Sequence, residues 1–188
     1  LAKAKSYDMN LKFEEYVKLY DDIKNKIKTF IRLLFGIYTA NDNIRLGRYL
    51  AGGDSKVCKE EFERIGVVYH LEIPNFKTIG RNLVLAHPSG ITVNPKAIIG
   101  DDCVIFKNVT VGSIRSGKRE GVPQIGNHCV ISAGAFVCGG IHIGDNVLIA
   151  ANSFVDFDVP DNSIEIGNPG TIHHKDNATK DYPSTSGV

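Results

Sequence analysis

Residues 125–155 read IGNHCVISAGAFVCGGIHIGDNVLIAANSFV. Within this stretch Ile125, Ile131, Val137, Ile143, Ile149 and Val155 recur every six residues. The residue four places after each is small or aliphatic: Cys129, Ala135, Ile141, Val147, Ser153 and Val159. Gly, Asp and Asn fill many of the places between. A helix repeats every ~3.6 residues and a plain strand every ~2, so neither sustains such a period. A hexapeptide repeat does, and it predicts a parallel β-helix in which each rung stacks on the last.

The same spacing runs upstream through Val93, Ile99, Ile105 and Val111, and begins near Ile73 with Ile79 and Leu85. It fails in two places. Leu85 to Val93 is eight residues rather than six, an offset at Ser89-Gly90. Residues 113–124 then interrupt the repeat with a segment carrying Arg115, Lys118 and Arg119. A long loop inside a regular coil is more often functional than accidental.

Upstream of the coil the pattern changes. Leu11, Phe13, Tyr16, Val17, Tyr20, Ile23, Ile27, Phe30, Ile31 and Leu34 follow helical spacing, with Lys, Glu and Asp on the other side. That face is expected to pack on the coil or on a sister subunit. A shorter helix is expected from near Ser55 to Arg64, capped by Asp54 or Ser55. The chain therefore divides into a helical region (1–70), a β-helix (71–170) and a polar tail (171–188).

Composition narrows the function classes. A net charge of +1 over 188 residues gives no electrostatic case for nucleic acid. No apolar run approaches the ~18 residues of a membrane span. No secretory leader is legible in the mixed, charged residues 1–10. The four cysteines show no CxxC spacing, and Cys103 and Cys129 occupy small inward positions of the repeat. They read as reduced thiols in a cytoplasmic protein, without zinc or disulfides.

A solenoid wall has no pocket of its own, so chemistry is expected where its regularity fails. His87 lies at the first failure, in Ala86-His87-Pro88-Ser89-Gly90. An imidazole with an ordinary pKa near ~6.5 suits removal of a proton at neutral pH. Glu72 precedes it by slightly less than one coil, close enough for its carboxylate to orient the ring and stabilise the imidazolium. A surface histidine with no task is the plain alternative. His128 and His142 fall at outward positions of regular repeats and read as solvated.

The segment Ile79-Gly80-Arg81-Asn82-Leu83-Val84-Leu85-Ala86-His87-Pro88-Ser89-Gly90 resembles the active-site segment of the serine acetyltransferase family. Val109-Thr110-Val111-Gly112, Ala133-Gly134-Ala135, Asp158-Val159-Pro160 and Gly167-Asn168-Pro169 extend the resemblance over about residues 70–170. It implies a left-handed parallel β-helix acyltransferase that uses acetyl-CoA and assembles as a homotrimer or a pair of trimers. His87 matches the family's catalytic base, and Glu72 falls where the family has its partner Asp. Gly112, Ser113, Ala133 and Ala151 match the small residues of the groove that takes the pantetheine arm.

The departures concern the acceptor. In the family, an Asp preceding the catalytic His and an Arg-His pair hold the charged ends of serine. Here those positions are Ala86, Gly121 and Val122. Each missing charge-assisted hydrogen bond is worth ~1.5–3 kcal/mol, so serine is expected to bind weakly. The sequence thus points to O-acetylation of a sugar or polysaccharide-precursor hydroxyl, with serine O-acetylation as the alternative. Arg115, Lys118 and Arg119 suit a phosphate or an acidic sugar, or are simply solvated. A metal-dependent hydratase on a similar coil would need a closely spaced histidine pair, which His87, His128 and His142 do not supply. A scaffold without catalysis is the remaining alternative.

Overall fold

The computed structural model describes residues 66, 67, 69–73 and 78–182. The amphipathic helix expected over 11–34 and the shorter one over 55–64 lie outside the described residues. Residues 66, 67 and 69 are helical and lead into the coil.

The coil is a three-faced prism of short parallel strands. The first face carries β1 (Val84–Ala86), β4 (Val104–Phe106), β7 (Val130–Ile131) and β10 (Val147–Ile149). The second carries β2 (Thr92–Val93), β5 (Thr110–Gly112), β8 (Phe136–Cys138) and β11 (Phe154–Val155). The third carries β3 (Ile98–Ile99), β6 (Gln124–Ile125) and β9 (His142–Ile143). On the first face β12 (Ser163–Gly167) follows β10 in parallel, and β13 (Gly170–His174) turns back antiparallel on it. Residues 170–174, which straddle the expected start of the polar tail, thus end the sheet as its last strand.

Each strand is too short to stand alone, and stacking is what stabilises it. Leu85 sits over Ile105, Ile105 over Ile131 and Ile131 over Ile149. Val93, Val111, Val137 and Val155 form the equivalent column on the second face, and Ile99, Ile125 and Ile143 on the third. All these side chains are buried. Cys103 and Cys129 fill the small inward sites of the first face and are 0% exposed, as their spacing requires. The Cys129 thiol is held above its ordinary pKa range by the Cys103 sulfur beside it and by burial.

The corner between the third and first faces is built by residues with positive φ: Asn82, Asp102, His128, Asn146 and Asn162, at 53–59°. Asn and Asp tolerate this left-handed backbone better than most residues. Just before them the coils approach closely. A Cβ on Gly100 would lie 2.6 Å from the Gly126 backbone, so that position admits only glycine.

Successive coils differ in length. Asp101 to Asn127 spans 26 residues, Asn127 to Asp145 spans 18 and Asp145 to Asp161 spans 16. The long coil holds the 113–124 segment, which folds into a hairpin arm. Ile114 and Gly121 exchange backbone hydrogen bonds of 3.0 Å, and Gly140 N–H donates to the Arg119 carbonyl at 2.9 Å. The arm therefore lies back against Gly139-Gly140 on the next coil. No helix among the described residues is long and apolar enough to cross a membrane.

Candidate active site

His87 follows β1 at the corner between the first and second faces. Its φ is 51°, and its side chain is exposed. The two extra residues of this coil make the corner wide. The turn is tied on both sides: Gly90 N–H donates to the Tyr69 carbonyl at 3.0 Å, and Asn108 N–H to the Ser89 carbonyl at 2.7 Å. Left-handed backbone recurs at regular corners of the coil, as at His128, so what sets this turn apart is its extra length.

Glu72 lies on the neighbouring coil. It bridges Thr92 in parallel register, with its N–H donating to the Ile91 carbonyl and its carbonyl accepting from Val93 N–H. Its side chain is exposed. Tyr69 to Glu72 thus runs beside the turn and strand that start at His87, and the two residues flank the same edge of the second face. Among the described residues no hydrogen bond or ion pair joins them.

Ala133 and Ala151 lie along that edge too, farther down the coil. Asn152 N–H donates to the Ala133 carbonyl at 3.0 Å, which stacks the two corners. Ala133 is half-buried and Ala151 exposed. Gly112 and Ser113 lie elsewhere. Gly112 ends β5 at the opposite edge of the second face, where the hairpin arm departs. Positions 87 and 112 do fall on consecutive coils, but the width of a face separates them within one chain. The positions of the missing acceptor charges divide in the same way. Ala86 adjoins His87, whereas Gly121 and Val122 belong to the arm.

Gly112 has no steric need within the chain to be glycine. An added Cβ would meet Cys138, Phe136 and Thr110 at 3.8 Å, which is ordinary contact. Its bare backbone instead leaves the strand end open to close approach from outside. Below it Cys138 is 5% exposed, although it stands on the outward side of β8. Burial raises its thiol pKa, helped by the Asp156 charge, which disfavours the nucleophilic thiolate. Sequence reasoning missed this burial, since the repeat puts position 138 on the outward side; the arm packs on the adjacent Gly139-Gly140.

Arg115 and Lys118 are exposed on the arm and Arg119 is half-buried. None of the three pairs with a carboxylate among the described residues. Among the same residues no group of three or more His, Cys, Asp and Glu side chains is arranged to hold a metal ion.

Comparison with known proteins gives this geometry its context. Residues 123–156 match the bacterial transferase hexapeptide family (six repeats). A serine acetyltransferase of Synechococcus elongatus is 38% identical over 107 residues, which is 56% of this chain and 43% of that protein. The chain thus spans under half the length of this relative. Among solved structures, serine acetyltransferase isoform 3 of Entamoeba histolytica, in complex with cysteine, superposes with a TM-score of 0.50 at 33% identity, covering 60% of this chain and 40% of that one. A serine acetyltransferase complex with CoA superposes with a TM-score of 0.50 at 27% identity, over 69% of this chain and 53% of that one. The described coil carries the hexapeptide repeat of bacterial transferases and, in sequence and as a left-handed parallel β-helix, resembles the serine acetyltransferases.

Proposed function

We propose that this chain is an acetyl-CoA-dependent O-acetyltransferase of the serine acetyltransferase type. The observation that supports the reading is the wide, tied turn that presents His87 at a coil edge, with Glu72 on the neighbouring coil along the same edge. His87 removes the proton from an acceptor hydroxyl, whose oxygen attacks the thioester carbonyl. Glu72 orients the imidazole and offsets the charge it gains. The tetrahedral oxyanion is held by backbone N–H groups near Gly112 or Ser113. CoA leaves as the thiol, taking the proton from His87. No covalent acyl-enzyme enters, since the described thiols are buried.

The relatives' names favour serine as acceptor over the sugar hydroxyl expected from the sequence. One observation still favours the sugar. Ala86, Gly121 and Val122 offer no charge to either end of an amino acid. The cations of the arm, which pair with no carboxylate among the described residues, suit the CoA phosphates, or an acidic group on a larger acceptor.

His87 and Gly112 occupy opposite edges of one face. That separation supports a site completed between copies of the chain, in at least a trimer. Sedimentation tests the assembly; a monomer with full activity contradicts a shared site. Incubation with acetyl-CoA and serine, followed by thiol release, tests the acceptor. Saturable turnover at sub-millimolar serine supports serine. Turnover only with simple or nucleotide sugars supports the second reading. Absence of CoA binding in calorimetry overturns the transferase reading.

A further inference from the structure

The corner between the third and first faces carries a second candidate site. Its ladder of left-handed residues is joined by side-chain bonds at both ends. Asn82 Nδ2 donates to Asp102 Oδ1 at 2.9 Å, and Asn146 Nδ2 donates to Asn162 Oδ1 at 2.6 Å. The ladder breaks at His128, where Nδ1 stands 3.9 Å from Asp102 Oδ2, beyond hydrogen-bond range. Here, opposite the break, the chain after β13 crosses the first face as a strap. The Thr179 N–H and hydroxyl both donate to Asn146 Oδ1, at 3.2 and 2.8 Å, and Tyr182 meets Phe106 edge to face at 6.2 Å.

Between the strap and the broken ladder lies a cavity of about 400 Å³, within the ~300–1,000 Å³ range of ligand pockets. Its walls hold polar groups without a partner among the described residues. Asn177 and Lys180 make no side-chain hydrogen bond or ion pair among the described residues, and the Tyr182 hydroxyl makes none either. Asn162 keeps its amide NH2, since only its oxygen is engaged by the ladder. Val104 and Val130 lie at its floor, each only 2% exposed.

We propose that this cavity binds a neutral, polyhydroxylated ligand, a glycosyl unit being the chemical class that fits. Carboxamides offer a donor and an acceptor side by side, as paired hydroxyls require. The half-buried Tyr182 ring suits the C–H face of a pyranose. Asp102 accepts from hydroxyls and opposes a bare anion, while Lys180 opposes a cation. The position is separate from the His87 edge, one corner of the prism away. The inference therefore does not depend on which acceptor is acetylated.

Ligand-observed NMR on the full chain tests this, using methyl glucoside, methyl galactoside and N-acetylglucosamine as probes and inorganic phosphate as the anionic comparison. The expected result is saturation transfer to at least one glycoside, with affinity reduced tenfold or more by His128→Asn, which lets the ladder close. Asn177→Gly, which removes an exposed amide and suits the left-handed backbone there (φ 54°), should also weaken binding while leaving the melting temperature nearly unchanged. CoA release should be unaffected by both. No transfer to any glycoside, binding of phosphate alone, or equal binding by both variants would overturn the proposal. So would binding lost in His87→Ala and kept in His128→Asn, which would assign the sugar to the acetyl-transfer edge.

Discussion

Glu165 pairs in register with Ile149, so a carboxylate 0% exposed continues the column begun by Leu85, Ile105 and Ile131. Neither of its oxygens has a hydrogen-bond partner within the described structure, and the nearby Ser153 hydroxyl accepts from Gly167 N–H at 2.9 Å. Burial raises the pKa of this carboxyl above the ordinary 4.5, with Ser153 opposing the shift. A carboxyl whose pKa is higher folded than unfolded binds its proton more tightly in the folded state. Its contribution is full below the unfolded pKa and is lost as pH rises through the folded value. Thermal melting across that window should show stability falling with pH, and Glu165→Gln should flatten the slope. Glu165→Leu restores the aliphatic column and should stabilise the coil by about 1–3 kcal/mol. Unchanged melting in the Leu variant would count against a buried, unpartnered acid.

Replacing His87 by Ala should lower turnover by about 10²–10⁴-fold, the usual span for loss of a general base. Glu72→Gln should cost less, because it keeps the shape and removes only the charge. Thiol release from acetyl-CoA with a verified acceptor measures both. A fully active His87→Ala enzyme would remove the base from the mechanism.

At Gly112 there is room for a side chain within the chain, so Gly112→Val should fold normally. It should raise KM for acetyl-CoA about tenfold or more by blocking close approach to the strand end. Melting and steady-state kinetics on the same preparation separate the two effects. A lowered melting temperature with unchanged KM would mean that the glycine serves the fold alone.

Gly121→Ala tests the arm. The φ at this position is 136°, and a Cβ added there would lie 2.9 Å from the Gly140 Cα, so a methyl has no relaxed place. The substitution should cost about 1–3 kcal/mol locally. Limited proteolysis between Arg115 and Arg119 should accelerate while the coil's melting temperature changes little.

Much of the architecture is legible in the sequence because inward positions repeat. Ile125, Ile131, Val137 and Ile143 are all buried, and so are Cys103 and Cys129 between the aliphatic columns. What spacing cannot report is lateral position. Counting residues sets 87 and 112 on consecutive coils but not on opposite edges, because the two-residue offset and the arm shift where a corner falls. Cys138 shows a similar limit, since it is buried although the repeat puts it on the outward side of β8. Glu165 escapes a reading by spacing because residues 161–169 look like a closing stretch, whereas β12 continues the first face and turns this side chain inward.

The division of the second face has a genetic counterpart. Suppose chains carrying His87→Ala are co-expressed with chains carrying Gly112→Val, and copies mix at random. About a quarter of the boundaries then join an intact imidazole to an intact strand end. At acetyl-CoA well below the raised KM, and with the site shared as proposed, two impaired alleles would thereby complement one another, and the recovered activity would count the boundaries at which the halves meet.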